Sequence, residues 1–320
     1  MWIVFAFISI IFYALGEVFQ KKGSDFEGEH SELKILIWFG ICSGIVSLAI
    51  NLLGLKSSIT ALQMLKIHPA ILLSSTFYYV SLLLCFFAFK LVPVSIASPV
   101  TCMDGVFTFI GIIVLYLIIG KSSILYESIT SLKLVLVILI SIGVYASTLI
   151  QTRKEDTEEN KKLAKGMFLL NNGRFAIIGV ILTLLSAVLD AFSSLTDIYF
   201  LGEVPVSWDY IYIHGMMLFG FSVILYVLLW ILEKKPYKIF AKMELPKVMG
   251  AGFDSLGTIF YMIAVAGNQI YTNVIISSFC VFTVLLSRII LKEKIEKSQA
   301  VWIGLTVSCI ILFTAANEIF

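Results

Sequence analysis

Residues 151–162 read Gln151-Thr152-Arg153-Lys154-Glu155-Asp156-Thr157-Glu158-Glu159-Asn160-Lys161-Lys162. With the residues up to 173, they form the one long polar interruption in the chain and read as a solvated linker. Five apolar runs precede it, at 2–20, 35–55, 68–89, 94–118 and 132–150. Five more follow, at 174–200, 207–232, 248–266, 270–291 and 299–316. About 20 apolar residues in helix cross a hydrocarbon core. Backbone groups in lipid must be paired within the segment, so each run is expected to be a helix and not a strand.

Composition demands the same class. Hydrophobic residues make up 59% of the chain and charged residues 14%. A soluble domain has roughly 45–50% apolar and about 25% charged residues, so lipid must solvate much of this surface. The reading is an all-α, integral, multi-pass membrane protein, in the plasma membrane if the cell is bacterial. The net charge of +2 comes with no basic run on a polar face, which excludes nucleic acid as a partner. Cys42, Cys85, Cys102, Cys280 and Cys309 all sit in apolar runs without C-x-x-C spacing. They read as small packing residues and not as metal ligands or disulfides. The first run lacks a basic n-region and a small-residue cleavage site, so it reads as a retained helix.

The two halves align. Ser9-Ile10-Ile11-Phe12-Tyr13-Ala14-Leu15-Gly16-Glu17-Val18 falls on Ser186-Ala187-Val188-Leu189-Asp190-Ala191-Phe192-Ser193-Ser194-Leu195 with a shift of 177 (9 to 186). Val106-Phe107-Thr108 falls on Val281-Phe282-Thr283 with a shift of 175 (106 to 281). The expected organisation is a five-helix repeat over 1–150, the linker over 151–173, and a second five-helix repeat over 174–320. An odd number of spans per repeat turns the second upside down, the plan of many secondary transporters with a site at the repeat interface. Lys and Arg favour the cytoplasmic side. Nineteen of the 23 lie on the linker's side, 15 of them in the second half, and place both termini outside. The first half is tied at four against four.

Two stretches resemble the drug/metabolite transporter superfamily, in the branch with two EamA repeats. Phe5-Ala6-Phe7-Ile8-Ser9-Ile10-Ile11-Phe12-Tyr13-Ala14-Leu15 is similar to that family's opening helix. Leu291-Lys292-Glu293-Lys294-Ile295 followed by Ser298-Gln299-Ala300-Val301-Trp302-Ile303-Gly304 resembles its L-G-E-x-L…Q-x-x-G run, with Lys292 where glycine is usual. The first half departs from the pattern: Gly120-Lys121 stands where the Gly-Glu pair belongs. The resemblance implies export or uptake of metabolites, amino acids, nucleotide sugars or drugs through a central cavity. It also implies both termini in the cytoplasm, against the charge count.

An ionisable side chain at membrane depth costs about 2.5–3.5 kcal/mol, so it faces a partner or a wet cavity. Asp104 is the leading candidate, about ten residues into the fourth run, beside Gly105 and five after Pro99. Glu17, late in the first, is either a cavity carboxylate or a partner for Lys21 one turn on. Gly16-Glu17-Val18 also resembles the Ala-Glu-Val around the membrane glutamate of small multidrug transporters. Asp190 has Ser186, Ser193 and Ser194 about it, and Asp197 is expected at the interface. Asp254 is a cavity residue, a helix cap or a partner of Lys247. His214 reads as a packed, hydrogen-bonded histidine, Lys90 as snorkelling or ion-paired, and Arg288 is a further ionisable candidate in the ninth run. Tyr78 and Tyr79 in the third run and Tyr261 in the eighth lie in equivalent helices. Aromatic faces beside acids suit cationic amines, although plain packing explains them too. Pro93, Ser98 and Pro99 in the first half, and Asn268, Gln269 and Asn273 in the second, are expected to unwind the helix ends that face the solute, with Asn273 also a candidate cavity residue.

The expected function is therefore alternating-access transport of a small metabolite, amino acid or cationic compound, with protons or a cation as a candidate coupling ion and no cofactor or metal. A channel or a non-transporting scaffold is the alternative. Enzymatic motifs are missing: residues 251–254 read Ala-Gly-Phe-Asp and not Gly-x-Gly-Asp. Gly40-Ile41-Cys42-Ser43-Gly44 is no rhomboid-type Gly-x-Ser, and no H-E-x-x-H occurs.

Overall fold

The computed structural model describes residues 2–24, 30–55, 69–91, 100–119, 135–143, 173–201, 208–237, 244–267, 272–276 and 278–290, with short pieces at 60–66, 146 and 297–312. Every regular element among them is a helix: α1 (Trp2–Ser24), α2 (Ser31–Leu52), α3 (Ala70–Leu91), α4 (Asp104–Ile119), α5 (Gly173–Leu201), α6 (Trp208–Glu233), α7 (Leu245–Gly267), α8 (Thr272–Ile276) and α9 (Phe279–Ile290). Residues 135–143, in the fifth apolar run, are also helical. Six helices (α1, α2, α3, α5, α6 and α7) are long and apolar enough to cross a membrane, the make-up of a multi-pass membrane protein. The linker before residue 173, Pro93, Pro99, Asn268 and the 291–295 motif lie outside the described residues.

The side chains are arranged inside out relative to a water-soluble bundle. Val4, Ile11, Ile45, Leu52 and Ile224 are exposed, whereas Ser9, Ser47, Ser74, Ser75 and Ser186 are buried. Lipid accepts aliphatic surface, so nothing drives it inward. Small hydroxyls at helix contacts let backbones approach and pair across the interface, at about 0.6 kcal/mol per bond.

Three antiparallel pairs build the bundle. In α1·α7, Ser9 Oγ donates to the Gly257 carbonyl at 2.9 Å, and Phe12 stacks on Phe260 with centroids 5.6 Å apart. In α3·α5, Ser81 and Ser186 each donate to the other's carbonyl at 2.9 Å. In α2·α6, Ser47 Oγ donates to the Tyr212 carbonyl at 2.9 Å, and Lys34 pairs with Glu233 at 2.9 Å. Close approach in this last pair needs Gly40: a Cβ there would sit 2.5 Å from the Leu218 carbonyl oxygen.

Two apolar runs are broken. The helical Thr101 leads into a turn at Cys102 and Met103, and α4 restarts at Asp104. In the ninth run, α8 stops at Ile276, Ser278 turns the chain, and α9 restarts at Phe279. Asp104 is thus in the first turn of a restarted helix, not ten residues into a continuous one. A carboxylate there is favoured by the unpaired N–H groups and the positive end of the helix dipole.

Candidate functional site

A cavity of about 130 Å³ opens between α1, α3, α5, α6 and α7, with the broken ends of α4 and α9 on its wall. By that measure a water needs about 10–15 Å³, so the space holds roughly ten waters or one small solute. Glu17, Asp104, Asp190, Asp197 and Asp254 all line it. His214 is the one basic side chain among the described lining residues, which include no lysine or arginine. Tyr13, Tyr78 and Tyr261 supply aromatic faces, and Ser81, Ser186, Ser193, Ser194 and Thr258 supply hydroxyls.

Each acid reaches the cavity by a different route. Glu17 is 7% exposed and accepts a hydrogen bond from Thr283 Oγ1 of α9 at 2.8 Å. Asp197, expected at the interface, is 3% exposed and accepts a hydrogen bond from the Tyr210 hydroxyl of α6. Asp254 does not pair with Lys247, which binds Glu244 at 2.9 Å just outside the span. The Asp254 carboxyl carries a buried Oδ2 with no hydrogen-bond partner among the described residues. Asp104 and Asp190 face the same space from α4 and α5.

Tyrosines and the histidine complete the wall. The Tyr261 hydroxyl donates to Ser194 Oγ at 3.1 Å, and the Tyr13 hydroxyl donates to Thr258 Oγ1 at 3.2 Å. Tyr78 packs beside His214 with centroids 5.8 Å apart. Neighbouring Tyr79 instead bonds Ser222 at 2.9 Å, away from the cavity. His214 bonds Ser75 Oγ through Nδ1 at 2.9 Å, and its buried Nε2 has no partner among the described residues. Asn273 lies in α8, and Lys90 and Arg288 in α3 and α9, with side chains outside the described residues.

Sequence reasoning brought six lining residues together: Glu17, Tyr78, Asp104, Asp190, Asp254 and Tyr261. Tyr13 was missed, whereas His214 is packed and hydrogen-bonded as expected. The internal alignment held a signal for the first, since Tyr13 falls on Asp190 at the shift of 177. No signal pointed to Ser75 as the partner of His214, because that bond joins α6 to α3. Among the described residues, no three His, Cys, Asp or Glu side chains cluster closely enough to hold a metal ion.

No protein-family model and no curated protein matches the chain. Solved structures do match. One crystal structure of a protein aligns over 100% of this chain and 99% of its own, with a TM-score of 0.67 and 13% sequence identity. At that identity the likeness establishes a shared fold and nothing about the solute.

Proposed function

We propose that the protein is an EamA-like secondary transporter of a small organic cation, with ten spans in two inverted five-helix repeats. The observation that carries this reading is the cavity: five carboxyl side chains and no lysine or arginine among its described lining. Carboxylates crowded in one low-dielectric site repel each other, and a bound cation relieves that repulsion. The tyrosine faces add cation–π attraction. Proton exchange suits the same groups, since each carboxyl neutralised by a proton competes with the solute for the site.

Helix positions support the repeat. Helix α2 starts at Ser31 and α6 at Trp208, a shift of 177 (31 to 208). Helices α3 and α7 start at Ala70 and Leu245, and α4 and α9 at Asp104 and Phe279, shifts of 175 each (70 to 245, 104 to 279). These are the two shifts of the sequence alignment. Packing follows the same exchange of halves: α1 lies on α7 as α5 lies on α3, and α1 on α9 as α5 on α4. The equivalent helices α2 and α6 pack antiparallel, which an axis in the membrane plane requires. Discontinuous helices in corresponding positions of the two halves mark solute sites in such transporters.

Reconstituted protein tests the proposal. Proteoliposomes loaded with unlabelled 3-methoxypropylamine should accumulate the labelled amine saturably, and Asp254→Asn and Asp190→Asn should each lower the rate at least about tenfold. Linear, non-saturable flux would indicate a channel, and no flux a scaffold.

A further inference from the structure

Two buried polar atoms on the cavity wall have no hydrogen-bond partner among the described residues: Asp254 Oδ2 and His214 Nε2. Asp254 is 9% exposed and His214 3%. A buried polar atom left unpaired is costly, and a partner that arrives with the ligand recovers that cost. Both atoms therefore describe the solute.

The chemistry at His214 follows from Ser75. Ser75 is fully buried, and His214 Nδ1 is its one hydrogen-bond partner among the described residues. A buried hydroxyl proton needs an acceptor, and Nδ1 is the acceptor within reach. The ring proton then sits on Nε2. Packing fixes the ring's orientation: Tyr210 stacks on it at 6.2 Å and 12°, and Tyr78 lies against it at 5.8 Å. The wall thus presents one oriented N–H donor amid carboxyl acceptors.

We propose that His214 selects, among small amines, those that carry a neutral hydrogen-bond acceptor: the ammonium end goes to Asp254 and an ether, hydroxyl or amide oxygen accepts from His214 Nε2–H. A carboxylate in the acceptor's place would face five carboxyl side chains with a single N–H to offset them. A plain alkylamine leaves the N–H unpaired, the situation in which hydrogen-bonding sites discriminate best. This specificity rests on the reading of the cavity as the solute site.

The test uses two amines of equal length, 3-methoxypropylamine and pentylamine, which differ by one oxygen in place of a methylene. Dissociation constants are measured calorimetrically on the full chain in lipid nanodiscs. Wild-type protein should favour the ether amine, and His214→Leu should reduce that preference about tenfold. His214→Gln, which keeps an amide N–H, should restore part of it. Asp254→Asn should weaken both amines and leave their ratio unchanged. If His214→Leu is unfolded, Ser75→Ala serves instead: it releases Nδ1 and should reduce the same ratio. A ratio untouched by these variants overturns the role of His214 while Asp254→Asn still reports on the cavity. Failure of both amines to bind wild-type protein, or binding untouched by Asp254→Asn, overturns the cavity reading and the selectivity with it.

Discussion

Thr283 of α9 donates a 2.8 Å hydrogen bond to Glu17 of α1, tying the first helix of the chain to the restarted helix of its second half. The internal alignment pairs Thr283 with Thr108 of α4, whose buried hydroxyl has no partner among the described residues. The position that faces it by the same exchange is Ser194, which bonds Tyr261 instead. The aligned positions therefore differ in charge: the Glu17 carboxyl falls on a serine hydroxyl.

That asymmetry gives the first prediction. Thr283→Val removes a donor from a buried carboxylate and should lower unfolding stability by about 1–2 kcal/mol. Thr108→Val removes a hydroxyl that bonds nothing among the described residues and should be neutral or slightly stabilising. Denaturation midpoints of the two variants in nanodiscs check the contrast, and equal losses would refute it.

Close packing of α2 on α6 gives the second. A Cβ at Gly40 meets the Leu218 carbonyl, which belongs to helix backbone and cannot swing aside. Gly40→Ala should cost about 1–3 kcal/mol through overpacking. Gly220, on the same helix pair, has nothing within 4 Å of its added Cβ. Gly220→Ala should gain up to about 1 kcal/mol from helix propensity.

A polar network at the end of the bundle gives the third. Tyr237 lies beyond the end of α6, donates to Glu244 Oε2 at 2.6 Å and accepts from Trp38 Nε1 at 3.1 Å. Burial, and then the hydrogen bond to Glu244, push its phenol above the ordinary tyrosine value. The folded state thus keeps a proton that the unfolded chain releases from about pH 10 upward. Its contribution is fully present below pH 10 and is lost as the pH rises further toward the folded value. Tyr237→Phe should cost about 1 kcal/mol at pH 7, and the deficit should shrink above pH 10.

Helices were legible wherever apolar length decides them. The runs at 2–20, 174–200, 207–232 and 248–266 match α1, α5, α6 and α7 within a few residues, because no competing structure suits such a segment in lipid. The breaks before Asp104 and Phe279 were not legible as places. Proline and asparagine marked the right regions, but a turn's position depends on what packs around it. The acids were found because a charge in an apolar run is conspicuous and has few explanations. The burial of Asp197 was not legible, because depth along a helix does not say which face a residue occupies. Its partner Tyr210 lies on a different helix.

Cation binding in the cavity underlies the proposed transport. Its most direct test is a charge series at fixed size: pentylamine, 1-pentanol and pentanoate, each titrated against purified protein while thermal unfolding is followed. A ligand that binds the folded state raises the transition with concentration. A cation site gives a saturable rise with pentylamine that Asp254→Asn diminishes, and none with the alcohol or the acid. Equal stabilisation by all three, or a rise with pentanoate alone, would contradict it.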